Sequence, residues 1–459
     1  MTEDLHPLIP VLTEAIDDRS ARGIARAVGR LISAGEIGPG TRLPTVRDLA
    51  AALGTSPARI DAAWRALAAK GVIDTQGRRG SFARGAPAGG VAPSRWWGLT
   101  GPANQFKLDL STGAPDPALL PRLDAAFSRS AERLALTGYQ GPSVVPELEQ
   151  ILRARWRPHG EPERVTVVSG ALDAIDRLLA VTVQFGDRVL VEEPGYPPVF
   201  DLVEAHGAEA VPVCLDDEGV SPAALQEALA CKPRAFIVQP RAQNPTGIAM
   251  TASRARELAR VLQSAGEITV LENDHSADLA TGRAVTLARH LPQRTVRIVS
   301  FSKSHGPDLR LAAVAGPASI IDALAARRAL GPGWTSRLVQ SLLVVMLSDP
   351  MTIAEVRHAR SVYTARRKKL VSELDRLGIM TTGTDGINLW VSVVREREAV
   401  HALASQGISV APGTAFFLDP HPPAFIRVTC GAVAEGYAEL AVAIAGAARP
   451  AVPSRSSAV

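Results

Sequence analysis

The stretch Arg297-Ile-Val-Ser-Phe-Ser-Lys-Ser-His-Gly-Pro-Asp-Leu-Arg310 decides how this chain is read. Val296, Ile298 and Val299 make an apolar run that predicts a buried strand, ending in Ser300, Ser302, Lys303 and Ser304. Open α/β sheets bind ligands at such strand ends. A lysine ringed by hydroxyls and followed by Arg310 suits an amine that attacks a carbonyl, with the hydroxyls and the guanidinium holding a phosphate beside it. A solvated surface lysine is the competing reading, and the rest of the chain weighs between the two.

Working outward, short apolar runs alternate with helical patterns from Phe106 onward. Val165–Val168, Val189–Val191, Ala210–Val213, Ala235–Val238, Ile268–Leu271 and Val296–Val299 are expected strands. The intervals 171–184, 197–206, 221–230, 251–265 and 276–290 are expected to be mostly helical. That alternation predicts an α/β fold with a mostly parallel sheet and crossover helices. A long helical region (319–378) leads into a smaller α+β segment, 379–446, and a disordered tail follows Pro450.

Other strand ends carry polar residues. Ser169-Gly170-Ala171-Leu172 opens a helix with small residues whose backbone N–H groups suit a phosphate, although most such turns bind nothing. Glu193-Pro194-Gly195-Tyr196-Pro197 makes a corner that aims Tyr196 at a planar ring or merely packs a loop. Gln243-Asn244-Pro245-Thr246-Gly247 is turn chemistry whose Asn244 amide is placed to donate to a ligand hydroxyl. The acids of Glu272-Asn273-Asp274-His275 are costly to bury without a cation, for which a protonated pyridine would serve; a solvated turn is the alternative. Arg427, inside the apolar run Phe425-Ile426-Arg427-Val428, asks for an anion: a substrate carboxylate or a structural ion pair.

The N-terminal part differs in charge. Residues 41–95 hold nine Lys/Arg against three acids, a net +6 in a chain of net +4, so everything else sums to −2. A basic module on a near-neutral body points to a polyanion. A helix from Ser20 to Gly35, a second after Pro44 and a third after Thr55 or Ser56 precede two short strands around Arg78-Arg79. Three helices and a basic hairpin predict a winged helix-turn-helix whose third helix enters the major groove of double-stranded DNA. Trp64 is expected in its core. At 459 residues more than one domain is expected. No run approaches the ~18 apolar residues of a membrane span, and the first residues lack the order of a signal peptide. Three scattered cysteines predict structural thiols in a reducing cytoplasm and no metal site.

Two resemblances follow from these motifs. Gly35–Ala50 (Gly-Glu-Ile-Gly-Pro-Gly-Thr-Arg-Leu-Pro-Thr-Val-Arg-Asp-Leu-Ala) resembles the signature of the GntR-type winged helix, which implies DNA contacts from Arg42, Thr45 and Arg47; Arg59 on the third helix is a further candidate. Residues 106–446 resemble the aspartate-aminotransferase family of fold type I, in family order from Gly113 and Pro115 to Arg427. That likeness implies pyridoxal 5′-phosphate (PLP) held as a Schiff base on Lys303, with Gly170, Ala171, Ser300 and Arg310 on its phosphate. Tyr139 is implied to reach that phosphate across a head-to-tail homodimer. Tyr196 is implied to stack on the ring, Asn244 to bond its hydroxyl, and Arg427 to take a carboxylate.

Together the two parts resemble the MocR-type transcription regulators, divided as an extension (1–19), a winged helix (20–84), a linker (85–105) containing Trp96-Trp97, a PLP domain (106–446) and a flexible tail (447–459). Three positions depart from the family. Glu-Asn-Asp-His stands where Glu-Asp-Asp-Tyr is usual, so either Asn273 or Asp274 faces the ring nitrogen, and His275 replaces a tyrosine that bonds the ring hydroxyl. Val144 stands in place of a glycine. The expected function is a PLP-dependent DNA-binding regulator that senses PLP or an amine, with little transamination; a working aminotransferase is the alternative.

Overall fold

The computed structural model describes residues 6–69, 71–84, 95, 106–132, 138–139 and 141–449. Residues 1–5 of the extension, all of the linker except Arg95 (Trp96-Trp97 included), and the tail from Pro450 lie outside the described residues. The chain forms two compact units: Met1–Pro93 with Val183–Val189 and Leu202–Ala210, and the remainder.

The N-terminal unit holds α1 (Ile9–Ala15), α2 (Ala21–Ser33), α3 (Val46–Leu53), α4 (Pro57–Ala69) and a hairpin of β1 (Ile73–Thr75) and β2 (Ser81–Ala83). The expected helices start where their caps fall. The Ser20 hydroxyl accepts from Gly23 N and Thr45 from Asp48 N, and Gly54 ends α3 in the left-handed region at φ +60°. Ile24, Val28, Leu31 and Ile32 of α2 are at most 4 % exposed. At ~2 kcal/mol each their burial outweighs the ~1 kcal/mol cost of each of the two helix-interior glycines, Gly23 and Gly29. Trp64 is buried in this core, and Arg78-Arg79 lies in the turn at the tip of the hairpin. Helix α1, which the sequence left unassigned, completes the core with Leu12 and Ile16.

The body follows as β3 (Leu108–Leu110), α5 (Asp124–Glu132), α6 (Pro146–Trp156), β4 (Arg164–Val168), α7 (Ala171–Thr182), β5 (Arg188–Glu193), α8 (Pro197–Ala205), β6 (Glu209–Asp216), β7 (Gly219–Val220), α9 (Pro222–Ala228), β8 (Ala235–Val238), α10 (Ala252–Ser264), β9 (Thr269–Asp274), β10 (Thr295–Ser300) and β11 (Ala312–Gly316). Strands β4 to β11 form one sheet in the order β4-β11-β10-β9-β8-β5-β6-β7. β8, β9 and β10 are parallel, while β11 is antiparallel to both β10 and β4. That strand, built of Ala-Ala-Val-Ala-Gly, carried no sequence signal, and its small residues fit a fully buried place.

Helices α11 (Ala318–Ala329), α12 (Arg337–Ser348) and α13 (Pro350–Arg376) fill the long helical region. A second sheet, of order β12-β13-β15-β14-β3, is made by β12 (Thr381–Thr382), β13 (Leu389–Ser392), β14 (Ile408–Pro412) and β15 (Phe425–Val428) with β3, and α14 (Glu396–Ser405) and α15 (Tyr437–Ala448) accompany it. Val144 is buried in a core cluster with Leu148 and Val167, which accounts for an apolar side chain there.

One expectation fails. Residues 276–290 are not mostly helical; they make two short turns, Ala277–Leu279 and Leu287–Arg289. The Asp385 carboxylate takes the backbone N–H groups of Thr281 and Gly282, and Glu272 takes that of Leu287, so these donors never enter a helical ladder. Among the described residues no single helix is long and apolar enough to cross a membrane; α12 and α13 pass such a test only as a pair bent by 77°.

Candidate functional site

The strand ends converge as their order in the sheet requires. Lys303 follows β10; Asn273 and Asp274 end the adjacent β9, opposite Ile298 and Val299 of β10. Asn244 lies beyond β8 and Tyr196 beyond β5, while Gly170 follows β4 across the antiparallel β11. Lys303 is half-buried, and that burial, with the Arg427 charge second, pushes its ammonium down to about 7. Near neutral pH a large fraction of the amine is therefore uncharged and nucleophilic.

An anion cradle sits on one side. Gly170 adopts φ +105°, and a Cβ there would lie 3.2 Å from Arg310 Nη2, so the guanidinium closes over bare backbone. Arg310 is exposed, donates to the Ser169 carbonyl at 3.3 Å and has no carboxylate partner among the described residues. Helix α7 begins at Ala171, with its N-terminal N–H groups facing the same turn. Ser300 is buried, its Oγ accepting from Ser302 N at 3.3 Å.

The acid cluster resolves differently from the expectation of a pyridinium partner. Asp274 is paired with Arg241, and its other oxygen accepts from Ala277 N at 3.0 Å. Glu272 is buried, takes the Thr286 hydroxyl and Leu287 N, and is pushed up to about 7 by burial. Asn273 is 3 % exposed, and its Oδ1 has no partner. His275 Nε2 lies 2.9 Å from the Ala242 carbonyl, which can only accept. Burial first, and Lys303 second, hold this imidazole well below its usual range, so it is neutral with its proton on Nε2. Nδ1 is then an acceptor, facing the Ser276 hydroxyl at 3.4 Å, and that proton is not available for a ring hydroxyl.

On the opposite side Arg427 is fully buried, and among the described residues no carboxylate lies in ion-pair range of it. Nη1 donates to Asn244 Oδ1 at 3.2 Å, Nη2 donates to the Ser111 carbonyl, and Nε has no partner. A guanidinium has five N–H donors, so three remain, on one edge or the other, for an anion. Phe416 lies under it at 5.0 Å, Gly113 leaves room for it, and burial lowers it to about 10, still charged at neutral pH. Tyr196 is half-buried; burial pushes its phenol up to about 12, against the charges of Arg427 and Arg310. Gln243 fixes the floor, donating to the Pro194 carbonyl at 2.8 Å and accepting from Thr246, while Gln239 accepts from Asn244 N.

Arg241, Ser111, Phe416 and Gln243 were not singled out from sequence as functional. Arg241 lies 33 residues from Asp274, too far for any local pattern to link them. Tyr139 stands apart from the cluster, 90 % exposed and edge-on to Trp334 at 6.0 Å. In the head Arg42, Thr45, Arg47 and Arg59 are all exposed, and none of the three arginines has a carboxylate partner among the described residues. The Thr45 oxygen caps α3, which leaves its hydroxyl hydrogen free to donate.

The site's geometry fits PLP: an amine at a strand end, a glycine-backed arginine for a phosphate, and an unpaired buried guanidinium for a carboxylate. Residues 106–444 match the aminotransferase class I and II family, and residues 20–82 match the bacterial regulatory proteins of the gntR family. The kynurenine aminotransferase of Pyrococcus horikoshii, solved with PMP, shares the fold at a TM-score of 0.67 and 21 % identity, over 74 % of this chain and 91 % of its own. A winged-helix head on a fold-type I domain with PLP as cofactor is the class these matches define.

Within it, the vitamin B6 salvage pathway transcriptional repressor PtsJ of Salmonella typhimurium is 34 % identical over 417 residues, 90 % of this chain and 95 % of its own. The pyridoxine biosynthesis transcriptional regulator PdxR of Corynebacterium glutamicum is 28 % identical over 367 residues, 75 % and 76 % of the two chains. The chain belongs to the MocR-type transcriptional regulators and is a DNA-binding regulator with an aminotransferase-like body.

Proposed function

We propose that the head binds a double-stranded operator and that occupancy of the body, by PLP or by an amine that displaces Lys303 from it, sets the strength of that binding. The observation that carries this reading is the lysine amine, pushed to about 7, between a glycine-backed arginine and a buried guanidinium that has no carboxylate partner among the described residues and whose Nε is unpartnered. When bound, PLP supplies an aldehyde that condenses reversibly with amines. Lys303 offers the uncharged amine; Arg310, Ser300 and the backbone of Gly170 and Ala171 retain the phosphate; Tyr196 covers the ring; Asn244 donates through Nδ2 to the ring hydroxyl.

Arg427 aligns an incoming carboxylate through its remaining donors. Tyr139, exposed in the single chain, is available to the site of a partner subunit in a head-to-tail homodimer. Arg42, Thr45, Arg47 and Arg59 are the proposed DNA contacts. The relatives named for vitamin B6 salvage and pyridoxine biosynthesis favour PLP itself over an unrelated amine as effector. A working aminotransferase is the second reading, because Lys303, Arg310 and Arg427 would serve it equally.

Borohydride reduction followed by mass spectrometry of the Lys303 peptide tests the body, and gel retardation of the chain's own promoter with and without PLP tests the coupling. An unmodified Lys303 refutes the sensor. A PLP-independent shift refutes the coupling of occupancy to DNA binding, and steady conversion of an amino acid and a keto acid shows that the body works as an enzyme.

A further inference from the structure

We propose that Asn273 pairs with an unprotonated ring nitrogen, so that this protein carries its cofactor as a neutral pyridine. The inference rests on the reading that Lys303 holds PLP with its ring nitrogen toward β9.

Asn273 occupies the strand position that faces the ring. It is 3 % exposed, sits opposite Ile298 five residues before Lys303, and its Oδ1 has no partner, so nothing holds that oxygen, rather than the Nδ2 donor an unprotonated nitrogen requires, toward the ring. Both neighbouring carboxylates are engaged elsewhere. Alternation along β9 places Glu272 and Asp274 on the other face from Asn273. Glu272 takes Thr286 and Leu287, and Asp274 takes Arg241 and the Ala277 N–H. Freeing Asp274 would leave the half-buried Arg241 without its acid.

Charge then decides the protonation state. The groups around the ring are Lys303 and Arg310 from the β10 side, Arg427 from β15, Arg241 already paired with Asp274, a neutral His275 and a neutral Tyr196. No unengaged carboxylate faces them among the described residues, so no anionic side chain is placed to offset the charge of a pyridinium at Asn273. An amide hydrogen-bonds to either form of the nitrogen without supplying charge, whereas a carboxylate would favour the protonated one. With the ring neutral, its pull on electrons at a bound amine's α-carbon is weak. The amine keeps its α-hydrogen and leaves as it came, which suits a reporter of occupancy better than a converter.

The test uses the full-length chain loaded with PLP labelled with ¹⁵N in the ring, loading being verified on a parallel sample by the borohydride adduct at Lys303. The ring ¹⁵N resonance is expected at the unprotonated position near neutral pH, and Asn273→Asp is expected to move it to the protonated position. A protonated-position resonance in the unsubstituted protein, with Lys303 loaded, overturns this proposal and leaves the sensor reading standing. Absence of the adduct overturns both. The unsubstituted protein decides the matter alone if Asn273→Asp fails to fold.

Discussion

Replacing Arg427 by Met separates recognition of a carboxylate from recognition of an amine. The guanidinium is fully buried, spends two donors on Asn244 Oδ1 and the Ser111 carbonyl, and keeps three. Removing one partner of a buried, hydrogen-bonded charge pair costs about 2–5 kcal/mol, or roughly 30- to 4,000-fold in affinity. The fold itself should change little. Met leaves two carbonyl oxygens without a donor at about 1–3 kcal/mol each, but it also removes a buried cation whose pKa burial has already lowered to about 10. The assay is a spectroscopic titration of the PLP-loaded protein with an amino acid and with the amine obtained by decarboxylating it. Arg427→Met is expected to raise the Kd of the amino acid at least ~30-fold and to leave that of the amine almost unchanged. Arg427→Lys, which keeps the charge but loses the fork, should fall between. Equal weakening of both ligands, or of neither, refutes the assignment of Arg427 as the carboxylate clamp.

Lys303 sets a pH dependence of stability in the cofactor-free chain. Its folded-state value of about 7 lies below the ordinary 10.5, so between those values the unfolded chain holds a proton that the folded chain lacks. Stability should therefore rise with pH across that window, by at most about 1.4 kcal/mol per pH unit, with the full penalty present below it. Urea midpoints at several pH values check this, and Lys303→Met should remove the slope. Gly170→Ala places a Cβ 3.2 Å from Arg310 at a φ of +105°, and with strain of about 1–3 kcal/mol it is expected to weaken PLP retention roughly tenfold, as equilibrium dialysis would read. In the head, Arg47→Ala and Arg59→Ala should each reduce the slope of log K against log salt by about 1 for operator binding, with PLP loading at Lys303 unaffected; an unchanged slope removes that residue from the interface.

Much of this protein is written locally in its chain. The apolar run before Lys303, the helix that starts at Ser20 and, outside 276–290, the alternation of strands and helices all depend on neighbours within a few residues, and the structure realises them. Tertiary structure alone decided which group of the acid cluster is engaged. Asp274 meets Arg241 across 33 positions, and Asp385 takes backbone donors from Thr281 and Gly282 more than a hundred positions away, which turns a helical-looking segment into turns. Hydrophobic period and capping are short-range properties that a sequence displays directly. The pairing of buried charges and of backbone donors depends on which distant groups the folded chain brings within ~3 Å of each other. The same distinction separates Lys303, visible at a strand end, from the isolation of Arg427, which only packing against Phe416, Ser111 and Asn244 reveals.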